Sequence, residues 1–125
     1  YTETLFGRRR YFPQIDASIP FLRALAERTA SNAPIQGTEA DILKIAMLLV
    51  DEDLKKIGIK DKTHLLLQIH DELVYEVQEE VAKEAAMIIE SAMMAAFARS
   101  PISIPTPPVP LVVSIGRGRH LGELK

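Results

Sequence analysis

Three ionisable side chains stand next to one another in the segment QIHDELVYEV, residues 68 to 77: His70, Asp71 and Glu72. Carboxylate oxygens suit a hard divalent cation such as Mg²⁺, which proteins hold with one or two carboxylates together with substrate phosphates and waters. Because neighbouring residues of a strand point to opposite faces, Asp71 and Glu72 are not expected to bind one ion equally. We expect one carboxylate to be the ligand and the other to support it.

Three roles are open to His70: metal ligand, general base, or hydrogen-bonding group directed at a substrate. Gln68 lies two residues earlier on the same predicted strand, so the two side chains are expected to form a small polar platform on one face. The ions of a two-metal site lie about 3.5 to 4 Å apart, and their further carboxylates must come from another segment. The residues alone leave two interpretations, a metal or substrate site and a solvated acidic turn, and the turn is the commoner of the two.

The composition is that of a soluble globular domain, with 125 residues, 47% hydrophobic and 26% charged. No apolar run approaches the roughly 18 to 20 residues that span a bilayer, and the first residues lack the apolar stretch of a secretion signal. We therefore expect a cytoplasmic protein with no membrane partner. The net charge of −2 shows no overall basic character of the kind expected for a free-standing DNA-binding domain, and the absence of cysteine restricts metal ligands to oxygen and imidazole.

A short hairpin is predicted at the start of the chain. YTETLF alternates and is followed by Gly7, which supplies the turn, and then by RRRYF. The three arginines, Arg8 to Arg10, are expected near the tip of the hairpin. Both solvated arginines and a phosphate contact are consistent with this placement, and solvated arginines are the commoner.

Two helices separated by Pro34 are predicted next. The first begins with Ser18 as N-cap and extends to about Ser31, because Pro34 disfavours helical geometry at the residue before it. The second begins near Thr38, where the pattern Thr-Glu-Ala-Asp resembles a capping box, and it ends at Gly58.

Two strands are predicted around the acidic pair. THLLLQI is short and continuously apolar, which fits a strand covered on both faces, and LVYEV alternates, with Leu73, Tyr75 and Val77 on one side. Asp71 and Glu72 would then form a two-residue loop. Such loops prefer Asn-Gly or Asp-Gly because both positions need a positive φ, so the turn chemistry is poor and a further role for the pair is expected.

The remaining sequence predicts a long helix over 79–99, a proline-rich connection over 101–110 and a last strand, LVVSI. The buried stripe of the helix is predicted to contain Val81, Ala85, Ile88, Ile89 and Ala92. The connection is interpreted as a stiff crossover, with a PxxP peptide ligand as the alternative. This order of elements predicts an α+β fold in which helices pack on one face of an antiparallel sheet.

QIHDELVYEV resembles the third palm motif of family A DNA polymerases, the type of bacterial DNA polymerase I. YTETLFGRRRYFP resembles that family's hairpin after the fingers helix, ERTASNAPIQGTEADILKIAM its fingers-to-palm helix pair, and VPLVVSIG its last strand. The resemblance implies a partial polymerase domain with a palm-type sheet. Residues 1–35 would be the hairpin and helix of the fingers side, and residues 36–125 the palm segment with the His-Asp-Glu hairpin, the long helix and the final strand.

The resemblance also implies roles for single residues. Asp71 would bind the catalytic Mg²⁺ ions, and Glu72, also counted as catalytic, would lie beside them near the primer terminus as a support. Five residues are implied to contact primer and template: Arg28, Asn32, Gln36, Gln68 and His70. On the residues alone, Asn32 and Gln36 are equally consistent with helix caps.

The implied function is that of the C-terminal part of a DNA-directed DNA polymerase, which transfers deoxynucleotides from their triphosphates to a primer 3′-hydroxyl on primer-template DNA. The family's first palm motif, with the other essential aspartate, and its fingers helix are not found. We expect both in a missing N-terminal portion, and we expect the isolated chain to be inactive. The alternative is a non-catalytic remnant or a module that binds primer-template or protein. The implied setting is DNA replication or repair at the bacterial nucleoid, and the ending RGRHLGELK departs from the family pattern.

Overall fold

The computed structural model describes residues 1–103 and 109–124, so part of the predicted proline-rich connection lies outside the described residues. The main elements, in chain order, are β1 (Thr2–Glu3), β2 (Arg9–Arg10), α1 (Pro20–Ile57), β3 (Thr63–Ile69), β4 (Glu72–Val77) and α2 (Ala82–Met94). β1 pairs antiparallel with β2, and β3 pairs antiparallel with β4. The predicted α+β class with antiparallel pairing is therefore confirmed, with the strands arranged as two separate hairpins.

Helix α1 continues through Pro34, so the prediction of two helices is wrong. The helix begins after Ile19 instead of Ser18, and Pro20 occupies its first turn, where the missing N–H has no intrahelical partner to lose. A proline inside a helix costs about 3 kcal/mol, so tertiary contacts must outweigh that local preference here. The predicted border between residues 1–35 and 36–125 falls inside α1, and the division itself stays a prediction.

Thr38 shows one of these tertiary contacts. It is buried within α1 and does not serve as an N-cap. Its hydroxyl donates a hydrogen bond of 2.6 Å to the carbonyl oxygen of Pro34 and accepts one of 3.0 Å from the backbone N–H of Leu5. The side chain that was predicted to start a helix instead joins the β1–β2 hairpin to the middle of a longer one.

Two glycines with positive φ end local elements as predicted. Gly7, at a φ of 78°, forms the turn of the first hairpin, where its N–H donates to the carbonyl oxygen of Thr4 over 3.0 Å. Gly58, at a φ of 80°, ends α1, and its N–H donates to the carbonyl oxygens of Leu54 and Lys55. Both positions use backbone conformations that other residues rarely adopt.

The core lies between the second half of α1, helix α2 and one side of the β3–β4 hairpin. Its buried members are mostly small or branched: Ala46, Leu49, Val50, Leu54, Ile59, Ala85, Ala92 and Ala96. The predicted stripe of α2 is confirmed, since Ala85 and Ala92 are fully buried and Val81, Ile88 and Ile89 pack against the core. The helix itself is shorter than predicted and ends at Met94.

Strand β3 is not covered on both faces, which corrects the prediction from its apolar run. Only Thr63 is buried, whereas Leu66, Leu67 and Ile69 are 52%, 43% and 44% exposed. A bulge between Leu65 and Leu67 also interrupts the alternation of the strand. The described residues supply a layer for one side of the hairpin, and a continuous apolar run cannot reveal whether the second layer belongs to the same chain.

Residues 111–118 form no strand in the described structure, although LVVSI predicts one. A strand exists only where a neighbouring backbone supplies its ladder of hydrogen bonds. Within residues 1–103 and 109–124 no strand pairs with this segment, which instead lines a groove beside β4. Over the same ranges, no helix combines the length and the apolar character needed to cross a membrane.

Candidate metal and nucleic-acid sites

The β3–β4 hairpin turns at His70 and Asp71, one residue earlier than predicted. Ile69 pairs with Glu72, so Glu72 is the first residue of β4 and does not belong to the loop. His70 has a φ of 51°, and it is the one non-glycine residue with positive φ in the described structure. Histidine tolerates this region better than most residues, so one left-handed position is enough and the expectation of two positive φ values is wrong.

Gln68 supports this turn from the end of β3. Its side-chain Nε2 donates a hydrogen bond of 2.7 Å to the backbone carbonyl oxygen of His70. The predicted platform of two side chains on one strand face is therefore not formed, because His70 has already left the strand. Gln68 binds the backbone of the turn and fixes the point from which Asp71 projects.

Asp71 and Glu72 are exposed at the border of a groove of about 1170 Å³ between α1, β4, α2 and residues 111–118. Neither carboxylate forms an ion pair in the part of the chain that the structure describes. Their oxygens are thus open to a hard cation. No group of three or more acidic, histidine or cysteine side chains is arranged to hold a metal ion within residues 1–103 and 109–124. The pair fits one part of a metal site, which needs further ligands.

Arg28, Asn32 and Gln36 lie along one exposed stripe of α1. Because the helix is unbroken, their spacing of four and four residues places them on one face over about 12 Å. The cap interpretation of Asn32 and Gln36 is wrong, since both lie in the helix interior. Ile35 and Glu39, close to Gln36 along α1, line the same groove as Asp71.

The three arginines of the first hairpin have three different environments. Arg8 donates from Nε to Asp41 Oδ1 over 2.8 Å and from Nη2 to the carbonyl oxygen of Gly37 over 2.9 Å. Arg9 donates from Nε to Glu3 Oε1 over 2.6 Å. The guanidinium of Arg10 lies 5.6 Å from the ring centre of Phe12 and forms no ion pair in the described structure. The sequence could not distinguish these arginines.

Gly37 gives the signal that sequence reasoning missed. A Cβ at this position would lie 2.6 Å from Thr4 Cγ2, so only a glycine lets the hairpin approach α1 this closely. An isolated glycine inside a helix costs about 1 kcal/mol relative to alanine, so its presence calls for a packing reason such as a close neighbouring segment. Applied to Gly37, that rule points to the docking of the arginine hairpin on the turn of α1 that follows Gln36.

Tyr75 connects the acidic hairpin to the core. It lies on β4 and packs against the buried cluster between α1 and α2. Burial of its ring, together with the negative charge of Asp51, raises the pKa of Tyr75 to about 12. The phenol is therefore neutral at physiological pH, and it anchors the strand that begins with Glu72.

Curated relatives match nearly the whole chain. A thermostable DNA polymerase I of Thermus filiformis is 46% identical over 125 residues, which are 100% of this chain and 14% of that protein. DNA polymerase I of Mycobacterium leprae is 43% identical over 122 residues, or 98% of this chain and 12% of that protein. The chain thus spans about one eighth of the length of these relatives.

A solved structure shares the fold. It is the POL domain of Pol1 from M. smegmatis in complex with DNA primer-template and dNTP, which matches with a TM-score of 0.79 and 44% identity over 95% of this chain and 19% of that chain. The sequence model of DNA polymerase family A matches residues 1–123. The chain therefore belongs to DNA polymerase family A.

Proposed function

We propose that this chain is part of a DNA-directed DNA polymerase that adds deoxynucleotides to a primer 3′-hydroxyl in DNA replication or repair. The observation that carries the proposal is the braced His70–Asp71 turn, which presents open carboxylates in a chain that belongs to DNA polymerase family A. The related Pol1 domain, solved with primer-template and dNTP, supports DNA and deoxynucleoside triphosphates as partners.

Polymerases of this family use divalent metals, and Mg²⁺ is the ion that we propose for this site. Bound Mg²⁺ would lower the pKa of the attacking hydroxyl and neutralise charge on the phosphoryl oxygens. Asp71 would hold the ion, and Glu72, which borders the same groove, would support the site near the primer end. His70 would contact the primer terminus, while Gln68 keeps the turn in place. The second metal-binding carboxylate would come from the N-terminal portion of the polymerase.

The stripe of Arg28, Asn32 and Gln36 would hold primer and template beside this site. Arginine binds phosphate oxygens with its planar fork, and the Asn32 amide donates to acceptors in the minor groove. Those acceptors differ little between A·T and T·A pairs, so amide donors sense the geometry of a pair without reading its sequence. A polymerase that copies any template needs this kind of contact. We place its work in the bacterial cytoplasm, at the nucleoid.

The proposal is tested by primer extension with the polymerase that contains this chain. Asp71→Asn keeps the size of the side chain but weakens its metal binding, and we expect extension to fall by at least about a hundredfold, since metal contributes several kcal/mol. Asp61→Asn is the matched control, because Asp61 is an exposed acid at the far end of β3. Near-normal extension by Asp71→Asn would contradict the proposed role.

A second measurement separates the polymerase from a non-catalytic module. If the unmodified polymerase binds primer-template but does not extend it in Mg²⁺, the chain belongs to a binding module or a remnant. We also expect residues 1–125 alone to be inactive. Metal-dependent incorporation by this fragment would show that the second carboxylate lies within the chain.

A further inference from the structure

A small cleft of about 220 Å³ separates the β1–β2 hairpin from α1. Thr2, Thr4 and Arg10 are among its lining residues on the hairpin side, and Ala33 and Gln36 on the helix side. Arg10 and Gln36 are both exposed, and each carries side-chain N–H donors. The cleft therefore has donors on both sides.

The charges around the cleft leave Arg10 as the available cation. Arg8 also lines it, but its guanidinium is held by Asp41 and by a backbone carbonyl. The carboxylate of Glu3, a further lining group, is paired with Arg9, whose guanidinium lies 4.7 Å from the ring centre of Tyr1. Arg10 has no carboxylate partner in the described structure, so its fork is open to an oxyanion.

The position of the cleft indicates which kind of oxyanion it binds. Gln36 is the last residue of the stripe that begins with Arg28 and Asn32, and the cleft continues this stripe from α1 onto the hairpin. We propose that Arg10 and Gln36 bind one backbone phosphate of primer-template DNA, an inference that rests on the proposed polymerase function. Arginine supplies the charge and two parallel donors, and the Gln36 amide supplies a third.

The hairpin side of the cleft is held firmly enough for such a contact. Arg8 bridges Gly37 and Asp41, one helical turn apart on α1, and the N–H of Leu5 donates to the hydroxyl of Thr38 over 3.0 Å. These bonds lie within five residues of Gln36 along the helix. Arg8 is thus a positioning residue, which keeps the strand of Arg10 opposite Gln36 and has no need to touch DNA itself.

The test compares Arg10→Gln with Arg9→Gln in the full polymerase. The two residues are adjacent in β2 and point to opposite faces, so each variant removes one positive charge from the same strand. The affinity for one primer-template duplex is measured at several salt concentrations. One phosphate contact contributes about 0.9 to the steepness with which log affinity falls against log salt. The loss of affinity in Arg10→Gln should therefore be about fourfold larger at 0.1 M salt than at 0.5 M. Arg9→Gln should keep the original slope, and Arg10→Lys should retain most of it.

Equal slopes for Arg10→Gln and the unmodified polymerase would contradict the proposed phosphate site. Equal losses of DNA affinity in Arg9→Gln and Arg10→Gln would contradict it as well. Primer extension by the unmodified polymerase is measured in parallel. No extension by the unmodified polymerase would contradict the proposed function. Normal extension combined with equal slopes would contradict only the proposed phosphate site.

Discussion

The side-chain Nε2 of Gln68 lies 2.7 Å from the backbone carbonyl oxygen of His70, and this hydrogen bond closes the turn from which Asp71 projects. Gln68→Ala removes the donor and leaves the carboxylate in place. Groups that orient a metal ligand typically contribute tenfold to a hundredfold to activity, so we expect primer extension to fall by about that factor. Gln68→Glu should behave similarly, because an ionised carboxylate cannot donate. Gln78→Ala, at the other end of β4, is the control, and equal activity of the Gln68 and Gln78 variants would contradict the prediction.

Thr38 provides a prediction about the first hairpin. Thr38→Val keeps the shape of the side chain but leaves the backbone N–H of Leu5 without its acceptor. An unpaired, partly buried donor costs about 1 to 3 kcal/mol, so the hairpin should open more often. Amide hydrogen exchange of Leu5 should become faster in Thr38→Val and stay unchanged in Thr38→Ser, which retains the hydroxyl. Unchanged exchange in the valine variant would show that this bond does not hold the hairpin.

Local rules predicted the features of the fold that depend on local conformation. Gly7 and Gly58 end their elements because few other residues adopt a positive φ, and the buried stripe of α2 follows from helical spacing alone. The break at Pro34 failed for the opposite reason. The preference of a residue before proline is local, whereas the burial of Ala33 and the bond between Thr38 and Leu5 depend on a hairpin distant in sequence.

The candidate site shows the same division between local and tertiary information. The residue types of Asp71 and Glu72 left a metal site and a solvated turn open, and the predicted turn position was wrong by one residue because strand register depends on pairing across the hairpin. Arg28, Asn32 and Gln36 lie on one face because α1 is continuous, and the sequence predicted a break between them. Arg10 differs from Arg8 and Arg9 because those two residues are paired with carboxylates, and no spacing rule predicts such partners.

A pH-dependent prediction concerns the link between α1 and the segment after α2. Arg99 binds both carboxylate oxygens of Asp53, one of them at 2.8 Å, and Lys56 adds a contact of 3.1 Å. The hydrogen bonds from Arg99, and then that from Lys56, lower the pKa of Asp53 to about 2. Because this value is below the unfolded pKa of about 3.9, the pair stabilises the fold above about pH 4 and loses its effect as pH falls towards 2.

Arg99→Gln tests this linkage through unfolding temperatures. Both partners are partly exposed, so we expect a loss of about 1 kcal/mol at pH 7. About half of that difference should remain at pH 3, where the unfolded carboxyl is mostly protonated and the folded one is not. Lys56→Gln should show a smaller difference at both pH values. A difference between Arg99→Gln and the unmodified protein that does not change with pH would contradict the assignment to Asp53.

Gly37→Ala is predicted to lower stability, which is the opposite of the usual effect of this substitution in a helix. Replacing glycine with alanine inside a helix ordinarily stabilises it by about 1 kcal/mol. Here the new Cβ would lie 2.6 Å from Thr4 Cγ2 and 3.4 Å from Arg8 Nη2. Thr4 cannot rotate away easily, because its hydroxyl accepts the backbone N–H groups of Phe6 and Arg8, each over 3.2 Å. We therefore expect Gly37→Ala to destabilise the hairpin by about 1 to 3 kcal/mol, as overpacking does.

The second substitution that isolates this contact is Thr4→Ser, which removes Cγ2 and keeps the hydroxyl. In the Thr4→Ser background the added Cβ has no methyl group to contact. The double variant should therefore regain most of the stability that Gly37→Ala alone loses. The two changes should therefore be strongly non-additive, because they act on one contact. Hydrogen exchange of the amides in residues 2–10, followed in the single and double variants, measures this coupling directly. Additive effects would mean that the hairpin is not held by close approach to Gly37, and the docking of Arg10 opposite Gln36 would then depend on the contacts of Arg8 and Thr38 alone.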